Sequence, residues 1–238
     1  MNVTRKTEGI VLRSLKYQDN HLIATVYTEA YGMQSFLIKG YHSPRARRRH
    51  SFFQPLSIID LVYFYKETQQ LQKVNESHLS LLLHSVQSHP VKLSIGLAMM
   101  EIFYDTVKEE EENRPLYHFL RSCILQLEQS ERRLVQVFIF FLLHLTKFLG
   151  FFPLDKSQQA PRVTFDLKQG CLLPAEDDQP AMRLLRDFLH SSLHTCQQIS
   201  FDARSKRQLL RLLFSYYQHY VPGFKYPQTL RVFAEIFD

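Results

Sequence analysis

His21-Leu22-Ile23-Ala24-Thr25-Val26-Tyr27-Thr28-Glu29-Ala30-Tyr31-Gly32-Met33 is the stretch that decides the first half of the fold. Leu22, Ala24 and Val26 fall on one side and Ile23, Thr25 and Tyr27 on the other. That period of two belongs to a strand with one buried face. Glu29-Ala30-Tyr31-Gly32 reads as a turn, with Gly32 supplying a positive φ. Working outward, residues 9–15 form a β-rich strand before it and residues 33–39 a strand after it, so the three make a meander. A polar, basic connection follows over residues 40–50, and residues 57–65 give a fourth strand rich in β-branched and aromatic side chains. Residues 71–76 give a shorter fifth. Three strands, an interruption and two more strands are the count and order of an OB-fold, although an SH3-like barrel has a similar strand count.

After His78 the periodicity becomes helical. Helices are expected over residues 92–108, 115–129, 134–149, 181–193 and 204–220, with a short terminal segment over 228–237. Pro115 suits an early helical position. The third of these helices is apolar almost all round, which makes it the centre of a bundle. It is too short and too interrupted, by Gln136, His144 and Lys147, to span a membrane, which takes about 20 apolar residues. Residues 151–180 break the pattern with five prolines and glycines, and 163–166 and 171–173 read as two short strands around a Lys168-Gln169-Gly170 turn. The expected fold class is therefore α+β: an N-terminal five-stranded OB-fold over residues 1–79, then an α-helical bundle over 80–238 with an irregular insert at 151–180. The boundary falls near Ser77–Ser80.

Residues 1–79 hold eleven Lys/Arg against six Asp/Glu, an excess of five, whereas residues 80–238 hold eighteen against seventeen. The basic excess sits on the barrel and suits a polyanionic partner, because each cation that neutralises a phosphate releases a counterion. Three widely spaced cysteines, Cys123, Cys171 and Cys196, fit free thiols in a reducing cytoplasm. The opening Met1-Asn2-Val3-Thr4-Arg5-Lys6 has no apolar core of the kind a signal peptide needs.

The strongest functional signal is residues 39–50, with five permanent cations (Lys39, Arg45, Arg47, Arg48, Arg49) and two histidines (His42, His50) in twelve residues. Guanidinium groups pair bidentately with phosphate oxygens and stack on bases. Tyr41, Phe52 and Phe53 offer aromatic faces nearby for stacking, or the Phe pair belongs to the barrel core. His190, His194 and Cys196 have ligand-like spacing without a further ligand, so no metal is expected. Glu109–Glu112 reads as a solvated acidic run. On two later helices Arg183, Arg186, Arg204, Lys206, Arg207 and Arg211 border apolar positions, an arrangement that suits an acidic peptide with a hydrophobic end. It equally describes the polar faces of two amphipathic helices. No Walker loop, Gly-x-Ser-x-Gly or His-Glu-x-x-His occurs, so no enzymatic activity is expected. A second reading makes the barrel a protein-binding adaptor without direct DNA contact.

Thr7-Glu8-Gly9-Ile10-Val11-Leu12-Arg13, Tyr27-Thr28-Glu29-x-x-Gly32, Lys39-Gly40, Phe53-Gln54-Pro55-Leu56 and Leu149-Gly150-Phe151-Phe152-Pro153 together resemble the RecO family. The resemblance spans roughly residues 7–65 and 134–174. It implies an OB-fold followed by a helical domain, binding to single- and double-stranded DNA, annealing of complementary strands and work with RecR to help RecA displace SSB. It also implies that the helical domain takes the acidic, hydrophobic-ended C-terminal tail of SSB. Two departures stand out. Many RecO proteins carry a four-cysteine zinc module where this chain has only Cys171, so the insert is expected to be a metal-free remnant and no cofactor is expected. The family's basic loop usually has Arg where this chain has His42, so DNA affinity is expected to rise below about pH 6.5 as that imidazole gains its charge.

Overall fold

The computed structural model describes residues 3–18, 21–39, 51–177 and 179–232. The chain divides into two compact units, Met1–Ile124 and Leu125–Asp238. The change from strands to helices comes after Leu81, so the first unit contains the barrel and the helices that pack on it.

Five strands close a barrel in the first unit: β1 (Val3–Tyr17), β2 (His21–Thr28), β3 (Gly32–Lys39), β4 (Ile58–Tyr65) and β5 (Leu71–Leu81). Their order around the barrel is β1-β2-β3-β5-β4, and β4 returns to β1. Only β3 and β5 run parallel, from Ser35 opposite Leu71 to Leu37 opposite Lys73. This is the OB-fold arrangement. Val11, Leu22, Ala24, Val26, Phe36, Ile38, Phe53, Ile59, Leu61 and Tyr63 fill the barrel, so the alternation read along β2 is the inside–outside alternation of the wall. Two strands are longer than the sequence pattern suggested. β1 starts at Val3 and β5 runs on to Leu81, because each pairs with β4 beyond its own apolar stretch.

A bulge between Val11 and Arg13 resets β1. Before it, Glu8 and Ile10 point outward and meet helices. After it, Arg13, Leu15 and Tyr17 point outward, opposite Thr25, Ile23 and His21.

Three helices follow in this unit: α1 (His84–Ser88), α2 (Pro90–Thr106) and α3 (Arg114–Gln129), whose last residues enter the second unit. Tyr27, on the outer wall, meets Phe103 of α2 edge-on at 4.8 Å and stacks with Tyr117 of α3 at 6.4 Å. Leu56 carries a positive φ of 75° and is buried against Gly96 of α2, which explains the Phe53-Gln54-Pro55-Leu56 motif as a packing element.

Glu8 is the polar joint between the barrel wall and α3. Its carboxylate accepts from Tyr117 Oη at 2.7 Å, Arg121 Nε at 2.9 Å and Ser80 Oγ at 2.5 Å. Burial alone would raise its pKa, but these three bonds and the Arg121 charge hold it below the ordinary glutamate value. Glu8→Gln is expected to cost about 2 kcal/mol at pH 7, the range for a charge-assisted bond removed from a half-buried site. Because the folded pKa is depressed, this contribution is present above the unfolded value of about 4.5 and disappears as the pH falls through the lower folded value. Urea unfolding of both proteins at pH 7 and pH 3 checks it: the gap between them should shrink in acid.

The second unit is built on α4 (Leu134–Phe148), whose middle residues from Gln136 to Leu143 are all buried. Gly150 at φ 84° stops it, and Phe151 N–H closes on Thr146 O at 3.0 Å. The insert then forms a three-stranded sheet of β6 (Leu154–Asp155), β8 (Cys171–Pro174) and β7 (Val163–Asp166), with β8 in the middle. The last two match the expected short strands; β6, only two residues long, has no alternation to betray it.

The remaining elements are α5 (Pro180–Leu189), a 3₁₀ turn (Thr195–Gln198), α6 (Ala203–Tyr220) and α7 (Gln228–Val232). Aromatic packing fastens the insert to α6. Phe151 stacks on Tyr220 at 5.0 Å, Phe165 meets Tyr216 edge-on at 5.2 Å, and the Tyr216 and Tyr220 hydroxyls donate to Phe151 O and Lys168 O. Cys171 and Cys196 are buried thiols, and burial pushes the Cys196 thiol up to about 12, so it is an inert packing group.

Candidate nucleic-acid interface

The outer wall of β1, β2 and β3 beyond the bulge is a regular lattice. Across the three strands one row reads Arg13, Thr25, Ser35; the next Leu15, Ile23, Leu37; the last Tyr17, His21, Lys39. The middle row continues through Lys73 of β5 to Phe64 of β4. Leu15 and Tyr17, two residues apart on β1, are 47 % and 43 % exposed, and Phe64, at the other end of the row, is 42 % exposed. Lys39 and Lys73 are exposed around them, and Arg13 rests over the Tyr104 ring at 5.5 Å. Exposed apolar and aromatic surface edged by cations is what a single strand uses: bases stack while phosphates are neutralised.

Lys39 is the last residue of β3, so the lattice leads directly into residues 40–50. Of the basic-segment residues singled out in the sequence, only Lys39 lies within the described residues; His42, Arg45, Arg47, Arg48 and Arg49 lie outside them, as does Tyr41. The Phe52–Phe53 pair serves the core, because Phe53 is wholly buried in the barrel and Phe52 packs against that cluster. Sequence reading missed Tyr17, Lys73 and Phe64. The alternation Arg13, Leu15, Tyr17 was visible, but without the bulge its facing could not be assigned.

In the second unit the six cations singled out on the late helices fall on α5 and α6, which pack together. Arg183, Arg204 and Arg211 are exposed, and Lys206 and Arg207 partly so. Arg186 is committed to the fold, its Nη1 donating to Ala160 O of the insert at 2.6 Å. His190 binds Asp155 Oδ2 at 2.8 Å, holding α5 to β6. The Asp155 carboxyl would be raised by desolvation, but bonds from His190 and Ser157 depress it to about 2. Among the described residues no group of three or more His, Cys, Asp or Glu side chains is placed to hold a metal ion.

A closed 1-2-3-5-4 barrel with a basic, aromatic outer face, followed by helices, can now be set beside known proteins. The family description "Recombination protein O N terminal" matches residues 1–81, and "Recombination protein O C terminal" matches residues 87–158. The chain belongs to the RecO family. A RecO relative from Bacteroides fragilis, named DNA repair protein RecO, is 31 % identical over 245 residues, covering 98 % of this chain and 99 % of the relative. Relatives of the same name from Christiangramia forsetii and Flavobacterium johnsoniae are each 28 % identical, covering 97 % and 98 % of this chain and 98 % and 99 % of their own lengths. The RecO C-terminal match ends at residue 158, inside the insert and before α5 and α6. No helix among the described residues is long and apolar enough to cross a membrane.

Proposed function

We propose that this chain is a DNA-repair and recombination mediator without enzymatic activity. It binds single- and double-stranded DNA, anneals complementary strands and, with RecR, assists RecA loading on strands coated by SSB. The observation that carries the reading is the lattice of Leu15, Tyr17, Ile23, Leu37 and Phe64 edged by Lys39 and Lys73, leading into the basic segment. Its relatives' shared name supports the repair role. Annealing needs no covalent step: cations screen two phosphate backbones while exposed rings hold bases unstacked. On this reading Arg183, Arg204, Lys206, Arg207 and Arg211 receive the acidic tail of SSB and concentrate the protein on coated strands.

The test is fluorescence anisotropy of a labelled single-stranded oligonucleotide titrated with the full chain at several salt concentrations, with Tyr17→Ala/Lys73→Ala as the variant. Wild-type binding should weaken steeply with salt. The double variant should bind roughly ten times more weakly, since stacking alone contributes about 1–3 kcal/mol per base. Absence of binding at low salt would move the barrel to a protein-binding role.

A further inference from the structure

The barrel has a second end with the opposite electrical character. At the start of β1 and the close of β4, a cavity of about 630 Å³ opens between the β2–β3 turn, the link from β4 to β5 and the acidic run after α2. Arg5 points inward from β1 and lines it. The guanidinium is held between two rings, its Cζ 3.4 Å from the centre of Tyr65 and 4.2 Å from that of Tyr31. Stacking covers its faces and leaves its N–H edges to donate. Among the described residues no carboxylate pairs with it. The hydroxyl of Tyr63, a wholly buried residue behind the two rings, has the Arg5 guanidinium as its polar neighbour.

The rim is the reverse. Glu67, Glu110, Glu111 and Glu112 line it and are exposed. Glu112 is paired with Arg114, whereas among the described residues Glu67, Glu110 and Glu111 pair with no cation. The run is fixed in place, because Met33 N–H donates to Glu109 O at 2.8 Å and Asn113 Nδ2 donates to Glu109 Oε2 at 2.8 Å. Donors at the floor and carboxylates at the rim call for a ligand with acceptors at its inner end and positive charge at its outer end.

We propose that this barrel mouth docks an extended segment of a partner protein bearing Lys or Arg side chains. Main-chain carbonyls of the segment reach the N–H edges of Arg5, and its cations meet Glu67, Glu110 and Glu111. A polyphosphate strand is repelled by the same three carboxylates, so the two barrel ends serve two classes of partner at once.

The experiment uses the full chain and three fluorescein-labelled probes in separate titrations: a hexapeptide alternating Lys and Ala, its Glu–Ala counterpart, and a single-stranded oligonucleotide. The variant is Glu110→Gln/Glu111→Gln, whose side chains are exposed, so the barrel is left intact. The Lys peptide should bind the wild type and lose at least fivefold in affinity with the variant. The Glu peptide should not bind, and oligonucleotide affinity should stay within twofold. Equal affinity of the Lys peptide for both proteins would overturn the proposal. So would oligonucleotide binding that strengthens fivefold or more in the variant, since DNA would then cross this mouth.

Discussion

Replacing Gly32 by alanine is expected to lower the unfolding free energy by about 2–4 kcal/mol, the sum of a strained backbone and an overpacked contact. Gly32 sits at φ 59°, and a β-carbon there would lie 2.4 Å from Glu111 O and 2.7 Å from Glu109 O. These are backbone atoms, pinned by the Met33–Glu109 bond, and they cannot rotate aside as a side chain can. Gly32→Asn separates the two causes. Asparagine tolerates the left-handed region, so any destabilisation that remains reports the clash with the acidic run. Gly150→Asn is the control: φ is 84° but nothing lies within 4 Å of a β-carbon, and the cost should be a few tenths of a kcal/mol. Urea unfolding measures all three. If Gly32→Asn matched Gly150→Asn, the acidic run would not dock against the turn.

The other large effect is on DNA. Arg45→Ala/Arg47→Ala/Arg48→Ala/Arg49→Ala should flatten the slope of log affinity against log salt by about 3, at roughly 0.7 for each phosphate of a single strand that is no longer neutralised. At 0.1 M salt that corresponds to a fall in affinity on the order of 10²–10³-fold. An unchanged salt slope would assign the phosphate binding to Lys39 and Lys73 instead.

The barrel was legible because its inner wall is written locally. Leu22, Ala24 and Val26 on β2 and Phe36 and Ile38 on β3 show their facing within a few residues, and Gly32 marks the turn. The helices after it were legible through their apolar spacing, with Gly150 closing α4. What escaped depends on residues far apart in sequence. Glu8 looks like a polar residue in a strand until Arg121, 113 positions later, returns to it. The acidic run was read as solvated; its side chains are exposed, but the Glu109 carbonyl caps the free edge of β3. Arg186 sits among surface arginines in sequence, yet its partner is a carbonyl in the insert. For the interface, charge pointed to the segment that follows Lys39. The stacking lattice needed the bulge, which sequence periodicity shows only as a break in phase.

That single extra residue in β1 has an evolutionary corollary. Glu8 and Ile10 face outward at even positions and Arg13, Leu15 and Tyr17 at odd ones, so one strand supplies two different surfaces only while its length stays constant. Losing one residue between Val11 and Arg13 would turn the arginine and the two exposed apolar side chains into the barrel and expel Ser14 and Lys16. Substitution in this segment changes one side chain at a time, but a deletion inverts the whole face. The number of residues here therefore matters to the outer face as much as their identity.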